Sequence, residues 1–104
     1  MNKFLKFLLA SLAISASVNA QNHVIDQSGK TFIPSKITVR VGDTITFKNS
    51  DPFAHNAYTD EENNEFDVGM QAPSKETVIT IKSADSFNVE CAIHPNMLLE
   101  VIVK

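Results

Sequence analysis

Residues 87–103 have the sequence FNVECAIHPNMLLEVIV, and this stretch decides which fold the chain is expected to adopt. Phe87, Val89 and Cys91 alternate with polar residues, which predicts a strand with one buried face. Residues 98–103 are mostly aliphatic and predict a second strand. Because side chains two residues apart point to the same face of a strand, we expect the Cys91 sulfur to point into the core at the strand's end.

The rest of the chain shows further short strands with turns between them. The predicted strands are residues 23–26, 36–41, 44–47 and 77–81, of which the first has the weakest pattern. Gly42-Asp43 separates the second and third of these, which predicts a hairpin. Residues 51–74 are rich in Asp, Glu, Asn and Pro and are predicted to form a loop with one short irregular strand. No stretch keeps a helical period, so the pattern indicates an all-β sandwich or barrel.

Residues 1–20 have the composition of a secretory signal peptide. Lys3 and Lys6 give it a basic start, residues 7–18 are largely apolar, and small residues precede a cleavage point after Ala20. The apolar stretch is shorter than the roughly 20 residues that span a bilayer. We therefore expect cleavage, a periplasmic location and no membrane attachment afterwards, with residues 21–104 as the mature domain.

Length and charge limit what this domain can be. The chain has 104 residues, of which 43% are hydrophobic, and this suits one small domain with a modest core. The formal net charge is −3, and removal of residues 1–20 with their two lysines lowers it to −5. An acidic domain lacks the basic surface that binds phosphate backbones, so nucleic acid is not expected as a partner.

Cys91 is the only cysteine in the sequence. Exported domains of this size are commonly stabilised by disulfide pairs, and a single cysteine cannot form one within the chain. A bound metal ion would explain both the presence of this cysteine and the missing cross-link.

Residues 91–97 place three kinds of metal ligand in one loop, namely the Cys91 thiolate, the His94 imidazole and the Met97 thioether. Two nitrogens and a thiolate with a weak axial thioether form the ligand set of copper electron-transfer sites. The loop supplies one nitrogen. Since His23 lies at the start of the mature chain, His55 is the candidate for the second.

Other interpretations of the same residues are possible. Taken singly, the cysteine, histidine and methionine could be ordinary core or loop residues. A Cys–His hydrolase is the enzymatic alternative, but the three-residue spacing places both groups on one tight loop without an orienting partner. The metal site accounts for all of these residues together, and we therefore prefer it.

These segments together resemble the cupredoxin family, in particular its plastocyanin, pseudoazurin and amicyanin branch. The resemblance lies in residues 32–37 and 42–49, the His55-Asn56 pair, the Phe87-x-Val89-x-Cys91 strand and the Cys-x-x-His-x-x-Met spacing, which is similar to the short loop of amicyanin. It implies a Greek-key β-sandwich of about seven to eight strands. It also implies one copper ion with Cys91, His55 and His94 as equatorial ligands and Met97 as the axial ligand.

The resemblance also implies roles for residues beside the ligands. Asn56 is expected to tie the His55 loop to the Cys91 loop. Ile93 stands where relatives often have proline, so its backbone N–H can point at the Cys91 sulfur. Such a hydrogen bond favours Cu(I), and Ile93→Pro is therefore expected to lower the reduction potential. Pro95 is expected to stiffen the loop directly after His94.

The function expected from this resemblance is one-electron transfer by a monomer that is not an enzyme. Its partners would be a redox protein donor and acceptor that dock transiently near His94. Copper storage or delivery is the alternative function. A multicopper oxidase is excluded, because three histidines in the sequence cannot build its additional centres.

The predicted new N-terminus raises a separate hypothesis. Cleavage after Ala20 would leave Gln21-Asn22-His23, in which a free amine and an imidazole can chelate Cu(II) or Ni(II). The alternatives are a plain strand histidine and cyclisation of Gln21, which would remove the amine.

Overall fold

The structure is a computed structural model that describes residues 19–104. The predicted signal peptide therefore lies almost entirely outside the described residues. Residues 19–104 contain nine strands: β1 Asn22–Ser28, β2 Thr31–Ile33, β3 Lys36–Val39, β4 Thr44–Asn49, β5 Tyr58–Thr59, β6 Phe66–Asp67, β7 Glu76–Thr80, β8 Phe87–Glu90 and β9 Leu98–Val103. In this part of the chain no helix has the length and apolar character needed to cross a membrane.

The strands form two sheets that pack face to face. One sheet has the order β2-β1-β4-β7 and the other has the order β3-β9-β8-β5-β6. The predicted all-β sandwich is confirmed. The described residues form nine strands rather than seven to eight. The additional strands are β2, which the pattern did not predict, and one of the two-residue strands β5 and β6, which lie in the polar segment that was predicted to contain a single strand.

The predicted hairpin between β3 and β4 is wrong, because these strands belong to different sheets. β3 pairs in parallel with β9, whereas β4 pairs in parallel with β1 and antiparallel with β7. The turn between them is closed by the Asp43 N–H, which donates to the Arg40 carbonyl at 3.0 Å. Gly42 has a φ of +95°, a conformation that glycine adopts without strain. The alternating pattern correctly indicated two half-buried strands but not their partners.

The core lies between the two sheets and follows the alternation of the strands. In β8 and β9 the buried side chains are Phe87, Val89, Leu99, Val101 and Val103. Phe47 of β4 reaches across and packs against Phe66, with ring centroids 5.7 Å apart. Burying each such aromatic or aliphatic side chain contributes about 1.5–3 kcal/mol, so this layer fixes how the two sheets align. Cys91 follows directly on the buried face of β8 and is 2% exposed, as predicted.

Strand β1 is longer than its weak pattern indicated. It runs for seven residues and lies inside its sheet, between β2 and β4. Its polar side chains have partners: His23 Nε2 lies 2.9 Å from Asp43 Oδ2, and Asp26 accepts a hydrogen bond from Ser50. These contacts explain how a strand with few apolar residues occupies a central position.

Candidate metal centre

Two separate parts of the chain meet at one end of the sandwich. The first is the loop from Cys91 to Met97 between β8 and β9, and the second is the segment after β4 that contains His55. His55 is fixed by a pair of backbone hydrogen bonds with Gln71, of 3.0 Å and 2.8 Å. The rigid ends of β4 and β8 therefore determine the distance between the two loops.

Three possible ligand atoms converge where the loops meet. His55 Nδ1 lies 3.1 Å from His94 Nδ1, and the Cys91 sulfur lies 3.8 Å from the same His94 atom. One ligand atom from each of the three residues falls within 4.8 Å of the others. His55 and Cys91 are buried, whereas His94 is half-buried at the rim. The structure thus brings together the three residues that the sequence analysis selected, although His55 is 36 residues from Cys91 in the chain.

His23 lies elsewhere. Its Nε2 contacts Asp43 at 2.9 Å, and the Gln21 N–H donates to the other oxygen of the same carboxylate at 2.9 Å. These hydrogen bonds, first that of Gln21 and then those of His23 and Arg40, lower the pKa of Asp43 to about 2. The histidine at the N-terminus therefore takes part in a separate cluster.

The orientation of the His55 ring follows from its second nitrogen. His55 Nε2 lies 2.6 Å from Asp51 Oδ2, and a carboxylate at this distance requires the nitrogen to carry the proton. The other ring nitrogen, Nδ1, faces His94 and Cys91. Burial of Asp51 would raise the pKa of its carboxyl, but hydrogen bonds from His55 and from the backbone N–H groups of Lys30 and Gly29 outweigh it and lower the pKa.

Three buried amide side chains hold the segment that contains His55 in place through hydrogen bonds. Asn49 Nδ2 donates to the carbonyls of Phe53 at 2.9 Å and Gln71 at 3.0 Å. Gln71 Nε2 donates to the Phe47 carbonyl, and its Oε1 accepts from Gln27 at 2.8 Å. Because unpaired polar groups are costly in a core, this network favours the observed conformation of the segment.

Asn56 joins the two loops, as the resemblance implied. Its Oδ1 accepts from the Ala92 N–H at 3.0 Å, and its Nδ2 donates to Asp67 at 2.8 Å and to the Gly69 carbonyl at 3.1 Å. Its backbone N–H donates to the Cys91 sulfur at 3.4 Å. The His55 and Cys91 loops therefore share hydrogen bonds on both the main chain and the side chain of one residue.

The structure does not support the donor expected from Ile93. Within residues 19–104, the backbone N–H that reaches the Cys91 sulfur is that of Asn56 and not that of Ile93. The Ile93 side chain is 42% exposed at the surface of the loop. Pro95 is exposed directly after His94, and the Met97 N–H donates to the His94 carbonyl at 3.0 Å, which closes the loop into a turn.

The donor set fits a soft or borderline metal ion. One thiolate and two imidazoles at these distances suit copper or zinc, whereas magnesium and calcium require oxygen ligands. The Met97 side chain is 1% exposed and belongs to the same loop, and a thioether favours copper over zinc. The chemistry of the residues therefore selects copper.

Comparison with known proteins agrees with this choice. The family model for copper-binding proteins of the plastocyanin/azurin family matches residues 16–104. The chain belongs to this family. Its cofactor is copper, and the chain is a cupredoxin.

Individual relatives show how far the similarity extends. The cupredoxin is 31% identical over 74 residues to the chloroplastic plastocyanin of Fritillaria agrestis, an alignment that covers 61% of this chain and 45% of the relative. It is similar in fold to a reduced Cu(I) proline-to-glycine mutant of amicyanin, with a TM-score of 0.73, 23% identity and coverage of 88% and 89% of the two chains. A copper-containing nitrite reductase from Thermus scotoductus gives a TM-score of 0.74 at 24% identity, over 90% of this chain. The cupredoxin spans about half the length of the plastocyanin and only 26% of the reductase.

Sequence reasoning missed two residues of this centre, Asp51 and Phe53. The Phe53 ring packs on the rings of both His55 and His94, with centroid distances of 5.3 Å and 5.6 Å. Lys30 Nζ lies 5.5 Å from the centroid of the same ring. The only sequence signal for either residue was its position two to four residues before His55 in a polar loop.

Proposed function

We propose that the mature chain is an exported one-electron carrier whose copper ion is held by His55, Cys91, His94 and Met97. The observation that carries this proposal is the convergence of the Cys91 sulfur and two imidazole nitrogens within 4.8 Å. When bound, copper supplies the one-electron couple between Cu(I) and Cu(II). The protein supplies a site whose shape is set before the metal arrives.

Rigidity of the ligand loops favours electron transfer over catalysis. The Asn56 side chain and the Gln71 backbone hold the two loops through hydrogen bonds that do not involve the ligand atoms. Ligands that cannot rearrange keep nearly the same geometry in both oxidation states, and this keeps the reorganisation energy of electron transfer small. The buried thiolate and the packed methionine also leave no open position for a substrate, so we propose that the chain is not an enzyme.

The surface around His94 supports docking of a redox protein donor and acceptor. His94 is half-buried, and exposed apolar side chains lie against its ring and along its loop. Phe53 is 37% exposed and contacts the His94 ring, and Ile93 and Leu98 are 42% and 52% exposed in or beside the same loop. A small apolar patch of this kind favours brief contact between monomers of different proteins. The acidic net charge of the chain does not favour nucleic acid as a partner.

Copper storage or delivery is the competing function, and the optical spectrum separates it from electron transfer. Residues 21–104 loaded with copper are expected to show intense blue absorbance and reversible voltammetry. Cys91→Ser is the matched control, because it keeps the size of the side chain but removes the soft sulfur ligand, and it is expected to lose the colour. A colourless protein that passes Cu(I) to a chelator would contradict the electron carrier and support delivery.

Export is tested separately by the mass of the protein from the periplasmic fraction. Cleavage after Ala20 gives a chain that begins at Gln21, and loss of ammonia from this chain would show that Gln21 is cyclised. A mass that includes residues 1–20 would refute export with cleavage. The proposed chelate at His23 would have to break the pairing of Asn22 and His23 with β4 and the contact with Asp43, which argues for a structural histidine.

A further inference from the structure

Asp51 is a buried carboxylate in contact with a proposed ligand. It is 8% exposed. Its hydrogen-bond partners are Gly29, Lys30, Asn49 and His55. Oδ2 lies 2.6 Å from His55 Nε2 and accepts from the Lys30 N–H at 3.0 Å. Oδ1 accepts from the Gly29 N–H at 2.7 Å. The Asp51 N–H itself donates to Asn49 Oδ1 at 2.9 Å, which fixes the backbone that carries the carboxylate.

The turn between β1 and β2 is shaped to hold this carboxylate. Gly29 and Lys30 have φ angles of +63° and +60°, so two consecutive residues are in the left-handed region. This conformation is that of a two-residue hairpin turn, and here it also directs both backbone N–H groups at Asp51. The turn between β1 and β2 thereby helps to position the Asp51 carboxylate, although it contains none of the proposed copper ligands.

We propose that Asp51 is a positioning residue for the copper site, which orients the His55 ring and increases the electron donation of its Nδ1. The inference rests on the proposed function, because it assigns His55 as a ligand. A carboxylate bonded to the far nitrogen fixes the protonated position at Nε2 and holds the ring plane. Its negative charge also makes Nδ1 a better donor, and this stabilises Cu(II) more than Cu(I).

The geometry separates this role from simple packing. Two backbone N–H groups donate to the Asp51 carboxylate independently of His55. The carboxylate therefore has hydrogen-bond partners even without the imidazole. The other ring nitrogen, Nδ1, faces His94 Nδ1 at 3.1 Å, and the Phe53 ring that packs edge-on against His55 offers it no hydrogen bond. Within the described residues, Asp51 supplies the carboxylate that is in hydrogen-bond contact with the His55 ring.

Asp51→Asn tests the proposal, and Asp26→Asn is the matched control. Both variants remove one negative charge, but Asp26 contacts Ser50 and not His55. Loss of a group that supports a metal-bound histidine typically weakens metal binding about 10–100-fold. We expect Asp51→Asn to weaken Cu(II) binding by about tenfold relative to Cu(I), which raises the midpoint potential by about 59 mV for a one-electron couple. The control is expected to stay within a quarter of that shift. Equal shifts in the two variants would overturn the proposal.

A measurement on the metal-free wild-type protein covers the case in which the variant fails to fold. Nitrogen-15 NMR is expected to show a protonated His55 Nε2 whose hydrogen exchanges slowly with water. A His55 Nε2 that is unprotonated or exchanges freely would overturn the proposal whether or not copper binds. If wild-type protein shows this NMR signal but neither blue absorbance nor a reversible couple, the electron-carrier function fails while the Asp51–His55 geometry stands.

Discussion

Replacing Asn56 by alanine is the sharpest test of how the two ligand loops are joined. The side chain is 5% exposed and makes three hydrogen bonds, to the Ala92 N–H, to Asp67 and to the Gly69 carbonyl. At about 1 kcal/mol for each bond, Asn56→Ala is expected to lower the free energy of unfolding by about 3 kcal/mol. For a domain of this size that corresponds to a fall of about 15 °C in Tm.

The assay is thermal unfolding of the metal-free protein followed by circular dichroism. Metal-free protein is used because bound copper would add its own stabilisation and hide part of the loss. Asn88→Ala is the control, since Asn88 is exposed in β8 and its side chain has no hydrogen bond within residues 19–104. A surface change of this kind is expected to alter stability by less than about 0.5 kcal/mol. If the two variants melt at the same temperature, Asn56 does not join the loops in the way described.

Three further predictions concern acid stability and the reduction potential. The pKa of Asp43 is lowered from 3.8 to about 2, so its ionised form contributes stability above about pH 4 that is lost as the pH falls toward 2. Urea midpoints should therefore decline more steeply between pH 4 and pH 2 in wild-type protein than in Asp43→Asn, and parallel declines would exclude this role. Met97→Gln replaces a thioether by a harder amide oxygen that favours Cu(II), so voltammetry should give a lower midpoint, whereas no change would make Met97 a packing residue only. Ile93→Pro should leave the midpoint potential unchanged, because the Ile93 N–H does not reach the Cys91 sulfur. A marked fall in this potential would instead support the hydrogen bond that the sequence analysis expected from Ile93.

The ligand loop could be predicted because its signals are local. The position of Cys91 at the end of an alternating strand fixed the direction of its side chain, and His94 and Met97 follow within six residues. His55 was selected because a copper site needs a second nitrogen and the other histidine lies at the start of the mature chain. The structure brings His55 to the loop, and no periodic pattern in the sequence would have shown this contact.

Strand partners were harder to predict than strands. An alternating pattern shows that one face is buried, but it contains no information about the neighbouring strand. The Gly42-Asp43 turn looked like a hairpin turn, yet Asp43 accepts from the Arg40 and Gln21 N–H groups and contacts His23. Those bonds hold a turn that carries the chain from one sheet to the other.

The polar residues between β4 and β7 gave the least information in the sequence about their place in the fold. Asp51 and Gln71 lie in segments with the composition of solvated loops, and both are buried. Their partners, His55 and Gln27, are 4 and 44 residues away, and the longer separation arises only from the folded sheets. Sequence composition identifies which residues are polar, whereas only the fold determines which of them are enclosed.

The near-complete enclosure of the single thiol bears on how the protein tolerates air before it receives metal. Oxidation of a cysteine and coupling of two cysteines between molecules both require the sulfur to be reachable from solvent. With 2% of Cys91 exposed, neither oxidants nor a second copy of the chain gain ready access. Burial of the sulfur therefore protects the metal-free chain both from oxidation and from dimerisation through Cys91.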